Sequence, residues 1–271
     1  MAGTYEAEVW GYVNGVISGT IVAAEDAVLA CERFRDDSYS GRWDCRTECA
    51  DFVISKIETH FVHRQGEDLV GRPLRGQPIR LEPWQKFVIY GCLVFYLRGS
   101  EVRRVQEAFV FIPRKNGKTI LISGIAWGLA LWAAKSGATI YIAAAALRQA
   151  MQSYRNIEHM LTTNIYSSRA EACSEDEGWR ILDNNQAHVI ENRDIGGGSV
   201  YIEALAANPE KQDSLNANII LVDELEDLNN SLQYNVLRDS MKAYANKLIF
   251  GISTAGHKEI EIGRASCRER V

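Results

Sequence analysis

The chain has 271 residues, 46% of them hydrophobic, with a formal net charge of −5 and a sequence pI near 5.6. That length and apolar content support one large domain or two modest ones around a sizeable core, and exclude wholesale disorder. The acidic balance argues against a tight, static nucleic-acid binder but leaves room for a local basic patch.

The N-terminus, Met1-Ala2-Gly3-Thr4-Tyr5-Glu6, lacks the basic start and apolar core of a signal peptide. The first 75 or so residues read as helical. Ile21 to Phe34 and Cys49 to Val62 are amphipathic, and the Gly-containing stretch from His63 to Gln77 reads as a loop. Pro83, at a favoured first-turn position, opens a third helix expected to run to about Leu97. The six cysteines, at 31, 45, 49, 92, 173 and 267, contain no CxxC unit. Zinc is not implied, and a reduced, cytosolic protein fits best.

From Glu107 the texture changes. Apolar runs of strand length occur at Ala108 to Ile112, Thr139 to Ala144, Val200 to Ala204, Ile219 to Val222 and Leu248 to Ile252. Helical segments lie between them at Thr119 to Ala134, Leu147 to Leu161 and Leu232 to Ala245. Strands apolar on both faces, alternating with helices, predict a mainly parallel α/β sheet flanked by helices. His188 to Glu191 and Val200 to Ala204 are a candidate hairpin across Gly196-Gly197-Gly198. The apolar run Ile120 to Ala134 is shorter than the roughly 20 residues a bilayer span needs, so a buried helix is expected.

Four constellations bear on chemistry. The first is strand, loop, helix: Pro113-Arg114-Lys115-Asn116-Gly117-Lys118-Thr119 between two apolar segments. Backbone N–H groups at a helix start, with the helix dipole behind them, attract phosphate. Gly117 permits close approach, Lys118 would reach the phosphates, and Thr119 would offer its hydroxyl to Mg²⁺. The tripeptide alone arises by chance in roughly one chain of this length in seven. The full pattern also wants Gly where Ile112 stands, so a plain basic turn stays open.

The second is Ile219 to Glu224, a buried strand ending in two carboxylates. Asp223 would hold Mg²⁺ and Glu224 would activate water, or both belong to a solvated acidic cap continued by Glu226 and Asp227. The third is Gln85, whose amide can pair with adenine or simply face solvent on a helix. The fourth is the strand end Ser253-Thr254, either a γ-phosphate sensor or a strand entering a turn.

Together these residues resemble the large terminase subunit of tailed bacteriophages. The blocks are Tyr12 to Ala23 with Leu29 to Arg33, Leu81 to Gln85, Arg114 to Thr119, Tyr141 to Ala144 with Gln149-Ala150, and Asp223-Glu224 followed by Ser253-Thr254. The resemblance implies a P-loop NTPase of the additional-strand, catalytic-glutamate class, with residues 76–260 as an ATP- and Mg²⁺-dependent DNA-packaging motor behind a helical region, 1–75. It implies catalytic roles for Glu224 and Lys118. Nucleotide contacts fall to Gln85, Arg114, Lys115, Asn116, Gly117, Lys118 and Thr119, metal contacts to Thr119 and Asp223, and coupling to Ser253 and Thr254. It further implies double-stranded viral DNA, a small terminase subunit, the portal protein and a homo-oligomeric ring as partners, in the bacterial host cytoplasm. The family often replaces the first loop glycine. Ser214, where the family commonly has Gly, is a departure.

That family adds a C-terminal nuclease of RNase H-like fold, expected to be missing from this chain. Residues 261–271 look foreign and resemble the translation of a sequencing-adapter oligonucleotide. Two alternatives stand beside the motor: a helicase-like translocase of related fold, and a nucleotide-binding domain inactive without a partner's arginine. Arg148, Arg155, Arg193 and Arg238 are unranked candidates for a finger of that kind.

Overall fold

The computed structural model describes residues 3–68, 70–206, 215–225 and 231–254. The Ser214 turn, Glu226, Asp227 and the 261–271 tail lie outside the described residues.

The N-terminal part is helical: α1 (Glu6–Ile17), α2 (Glu25–Tyr39), α3 (Glu48–His60) and α4 (Pro83–Leu93). Helix α4 stops four residues before the expected end. Phe95–Leu97 is instead strand β2, antiparallel to β1 (Trp43–Cys45) through the pairs Trp43↔Leu97 and Cys45↔Phe95. A partner some fifty residues away overrides the local helical pattern.

The remaining elements are β3 (Glu107–Phe111), α5 (Lys118–Ala133), β4 (Ala138–Ala144), α6 (Leu147–His159), α7 (Arg169–Ala172), β5 (Trp179–Asp183), β6 (His188–Ile195), β7 (Gly198–Ala206), β8 (Ile219–Asp223), α8 (Ser231–Asp239) and β9 (Leu248–Ser253). Helix α8 ends six residues before the expected Ala245, and α6 passes into a π-helical segment, Met160–Ile165.

Seven strands form one sheet in the order β3-β9-β8-β4-β7-β6-β5. The first five run parallel, while β6 and β5 are antiparallel additions. The β6–β7 pair is the hairpin expected across the triple glycine. Strand β9 sits between the loop-bearing strand β3 and the acidic strand β8.

The central strands β8 and β9 are buried along their whole length. Alternation sorts their side chains onto two faces. Ile140, Ile142, Leu221 and Phe250 join a core shared with α1 to α6, while Tyr141, Ala143, Ile220, Val222 and Ile249 meet Tyr234 and Leu237 of α8. Helix α5 lies inside the first core, every residue from Leu121 to Ala130 buried. With the turn after it, α5 is the one described helix long and apolar enough to cross a membrane, by length and composition alone. Its two glycines let α3 cross closely: a Cβ at Gly128 would lie 2.9 Å from the Val53 Cα, and one at Gly124 would lie 2.5 Å from the Ile57 side chain. The hydrophobic core is therefore continuous from Val9 in α1 to Ile252 in β9.

Candidate nucleotide site

Parallel strands that share a direction deliver their carboxyl ends to one edge, where loops form a crevice. At that edge β3 ends in Phe111, β9 in Ser253 and β8 in Asp223. The pairs Phe111↔Ser253 and Asp223↔Ile252 hold them level, and the Ile112 N–H donates to the Ser253 carbonyl at 3.0 Å.

After β3 the chain turns through Pro113 to Asn116. The Asn116 amide donates to the Pro113 and Arg114 carbonyls at 3.1 and 3.3 Å, bracing the turn. Gly117 caps α5 in the left-handed region, φ +73°, a conformation that costs a glycine little. Arg114, Lys115 and Asn116 are exposed and Thr119 is half-buried. Among the described residues, two non-glycines have positive φ: Lys115 at 68° and Glu224 at 51°. Such conformations cost about 1 kcal/mol or more each and persist where the surroundings enforce them. Both fall at this crevice.

The Lys118 ammonium pairs with the Glu224 carboxylate, and the other Glu224 oxygen accepts a hydrogen bond from the Thr254 N–H at 3.3 Å. The loop, the acidic strand and the end of β9 thus meet at one side chain. Asp223 is 4% exposed. Burial pushes its carboxyl up to about 6, the Glu224 carboxylate adds to the rise, and Lys118 works against it. The solvated-cap alternative therefore fails for Asp223.

Gln85 is buried in the first turn of α4 and not a surface residue. Its Oε1 accepts from the Glu82 N–H at 2.9 Å, which fixes the amide orientation because only the oxygen can accept there. Its Nε2 faces the phosphate loop, 3.4 Å from where a Gly117 Cβ would stand. The side chain spends its acceptor on helix capping and turns a donor toward the crevice.

A sequence profile described as "Terminase large subunit, ATPase domain" matches residues 83–263. The chain belongs to this family. The terminase ATPase fold is seen again in the HK97 bacteriophage large terminase, at TM-score 0.54 and 22% identity over 75% of this chain. The ADP complex of the large terminase from the thermophilic bacteriophage D6E aligns at TM-score 0.41 and 15% identity, covering 57% of this chain and 35% of that one. The chain spans 37% of the HK97 protein's length. No curated protein gives a significant sequence match.

Topology separates the terminase arginine candidates. Arg148 opens α6 just after β4, whose last residue Ala144 pairs with Asp223, so it lies at the crevice edge. Arg193 follows Asn192, the partner of Val200, which in turn pairs with Ala138 at the start of β4. It therefore sits at the opposite edge. Arg155 lies two turns into α6, and Arg238 near the far end of α8.

The sequence reading missed Ser123. It is fully buried, and its hydroxyl donates to the Thr119 carbonyl at 2.6 Å, steadying the first turn of α5. A lone hydroxyl one turn after Thr119, in an otherwise apolar run, was the available signal.

Proposed function

We propose that this chain is the motor portion of a terminase large subunit, hydrolysing Mg²⁺-ATP to drive double-stranded viral DNA into a prohead. What carries this reading is the meeting of Lys118, Glu224 and the Thr254 N–H at the carboxyl edge of the sheet. The terminase family match favours this over a helicase-like translocase.

The residues fit a nucleotide with its cation. The loop supplies backbone donors at a helix start, and Asp223 is a buried carboxylate whose ionised form is disfavoured until a cation approaches. Mg²⁺ is commonly held by one or two carboxylates together with substrate phosphates and water. In this reading Thr119 and Asp223 would hold Mg²⁺, which would supply positive charge to offset that of the phosphates.

Lys118 leaves Glu224 for the phosphate oxygens when nucleotide binds. Glu224, relieved of its cation, orients and deprotonates the attacking water. The Thr254 N–H keeps hold of the carboxylate, so the end of β9, with Ser253 and Thr254, registers where Glu224 lies and passes that on. Arg114, Lys115, Asn116 and Gly117 line the phosphates, and the Gln85 Nε2 donates into the crevice toward base or loop. Residues 1–75 brace the motor unit, 76–260, through the α3–α5 crossing.

At the scale of assembly, we assign the small terminase subunit, the portal protein and a homo-oligomeric ring as partners, in the host cytoplasm. Cleavage of concatemeric DNA belongs in this reading to the full-length subunit. Phosphate release from Mg²⁺-ATP tests the core of the proposal. Lys118→Ala should lose both tight nucleotide binding and turnover, and turnover at the wild-type rate in that variant overturns the assignment.

A further inference from the structure

A second cluster of polar groups lies outside the nucleotide crevice. The loop after α3 folds back on itself through the bridges Val62↔Pro78 and Glu67↔Pro73. The His63 N–H donates to the Gln77 carbonyl and the Gly76 N–H to the His63 carbonyl, so Arg64 and Arg75 flank the same rung. Both are exposed. Arg64 donates to the Asn156 Oδ1 of α6 at 3.2 Å, and His159 stands one turn beyond Asn156 on that helix. Exposed Arg155 lies one turn before His159.

Of the neighbouring acids, Asp68 pairs with Arg72 and Glu158 with Arg169, while Glu67 on the same loop is exposed. Burial lowers the His159 imidazole pKa, and Arg64 and Arg75 lower it further, with no carboxylate opposing them. The chain is acidic overall, yet here three exposed arginines lie close in the fold, and among the described residues none of them forms an ion pair with a carboxylate.

The cluster is also wired inward. The Asn156 Nδ2 donates to the Ser123 Oγ at 3.4 Å, and Ser123 donates to the Thr119 carbonyl at 2.6 Å. Ser153, fully buried on α6, reaches the same carbonyl at 3.5 Å. A side chain on the surface loop is thereby linked through two buried or half-buried side chains to the residue assigned to metal.

We propose that Arg64, Arg75 and Arg155, around His159, form a contact surface for the phosphate backbone of duplex nucleic acid, and that the chain Arg64–Asn156–Ser123–Thr119 ties its occupancy to the first turn of α5. The choice of nucleic acid over an acidic protein rests on the motor reading. Guanidinium groups pair bidentately with phosphate oxygens, and each such contact adds close to one unit to the salt dependence of binding.

Anisotropy of a labelled duplex of about 30 base pairs, titrated with the full chain over a range of salt, tests the surface. Arg64→Ala/Arg75→Ala should weaken binding on the order of tenfold and lower the salt slope by about two. Arg64→Lys/Arg75→Lys should keep the slope, and Arg42→Ala, exposed elsewhere, should change neither. Unchanged duplex binding in the double alanine variant overturns the surface. So does an effect seen only with a polyglutamate competitor, which would mark an acidic protein as the occupant.

Asn156→Ala tests the wiring. It should bind duplex with the wild-type slope while duplex no longer alters the rate of ATP hydrolysis. If duplex alters turnover equally in the variant, or fails to alter it in the wild type, the wiring is wrong. Hydrolysis without duplex is read in the same assay, and its loss in the wild type counts against the motor reading and not against the surface.

Discussion

Lys118 and Glu224, 106 residues apart, form an ion pair between the first turn of α5 and the end of β8. The lysine is the group expected to grip phosphate, and the glutamate is the group expected to activate water. In the proposed motor, the pairing would give binding and catalysis one shared trigger: a phosphate that captures the lysine would also release the base. The left-handed backbone at Glu224 shows that the fold enforces this placement against a local cost.

The α3–α5 crossing depends on Gly128. Gly128→Ala puts a methyl group 2.9 Å from the Val53 backbone, where no rotamer change can relieve it. The variant should lose about 1–3 kcal/mol of stability, seen as a lower urea midpoint at unchanged slope. Gly91→Ala, in α4 with nothing within 4 Å of the added Cβ, should instead be neutral or gain up to about 1 kcal/mol. Equal effects at the two sites would show that the crossing is not tightly packed.

His60 makes the fold acid-sensitive. Its Nδ1 accepts a hydrogen bond from the Trp127 Nε1 at 2.9 Å, so the ring is held neutral, and burial, helped by Lys56, pushes its pKa down to about 4. A depressed folded-state value contributes stability above the ordinary 6.5 that is lost as pH falls through 4. Asp223, with its raised value, acts in the opposite sense and loses its contribution as pH rises through about 6. Comparing wild type with His60→Asn cancels that second effect. The difference in urea midpoint between pH 7 and pH 4.5 should be smaller in the variant.

Arg148 is the arginine that the topology brings to the crevice edge. Arg148→Ala should reduce turnover on the order of 10³-fold with ATP binding little changed, whereas Arg193→Ala should leave turnover intact. If Arg148 acts on a neighbouring copy, the specific activity of the wild type should rise with protein concentration. Steady-state phosphate release at several concentrations measures both effects.

Much of this was legible in the sequence, for a definite reason. Strands buried on both faces, such as Ile219–Asp223 and Leu248–Ser253, must be continuously apolar, so they stand out from their own composition. The phosphate loop was marked by the apolar strand and helix on either side of it. What stayed hidden depends on distant partners. Phe95–Leu97 looks like the end of a helix until Trp43–Cys45 is beside it. Trp179–Asp183 is too short and mixed to announce itself as a strand, and it exists because it pairs with His188–Asn192. Gln85 stood out by its amide, but its burial and its capping bond to Glu82 depend on the folded turn. The ranking of the arginines required the strand order, which no single segment encodes.

The measurement that bears most directly on the account is ATP binding and hydrolysis by Glu224→Gln. Glutamine keeps the shape and can still accept from the Thr254 N–H, but it cannot take a proton from water and no longer neutralises Lys118. The account predicts nucleotide affinity equal to or tighter than wild type, because Lys118 is released, with hydrolysis reduced by at least about 10²-fold. Hydrolysis near the wild-type rate would show that Glu224 is not the base, and much weaker binding would show that its pairing with Lys118 does not compete with phosphate.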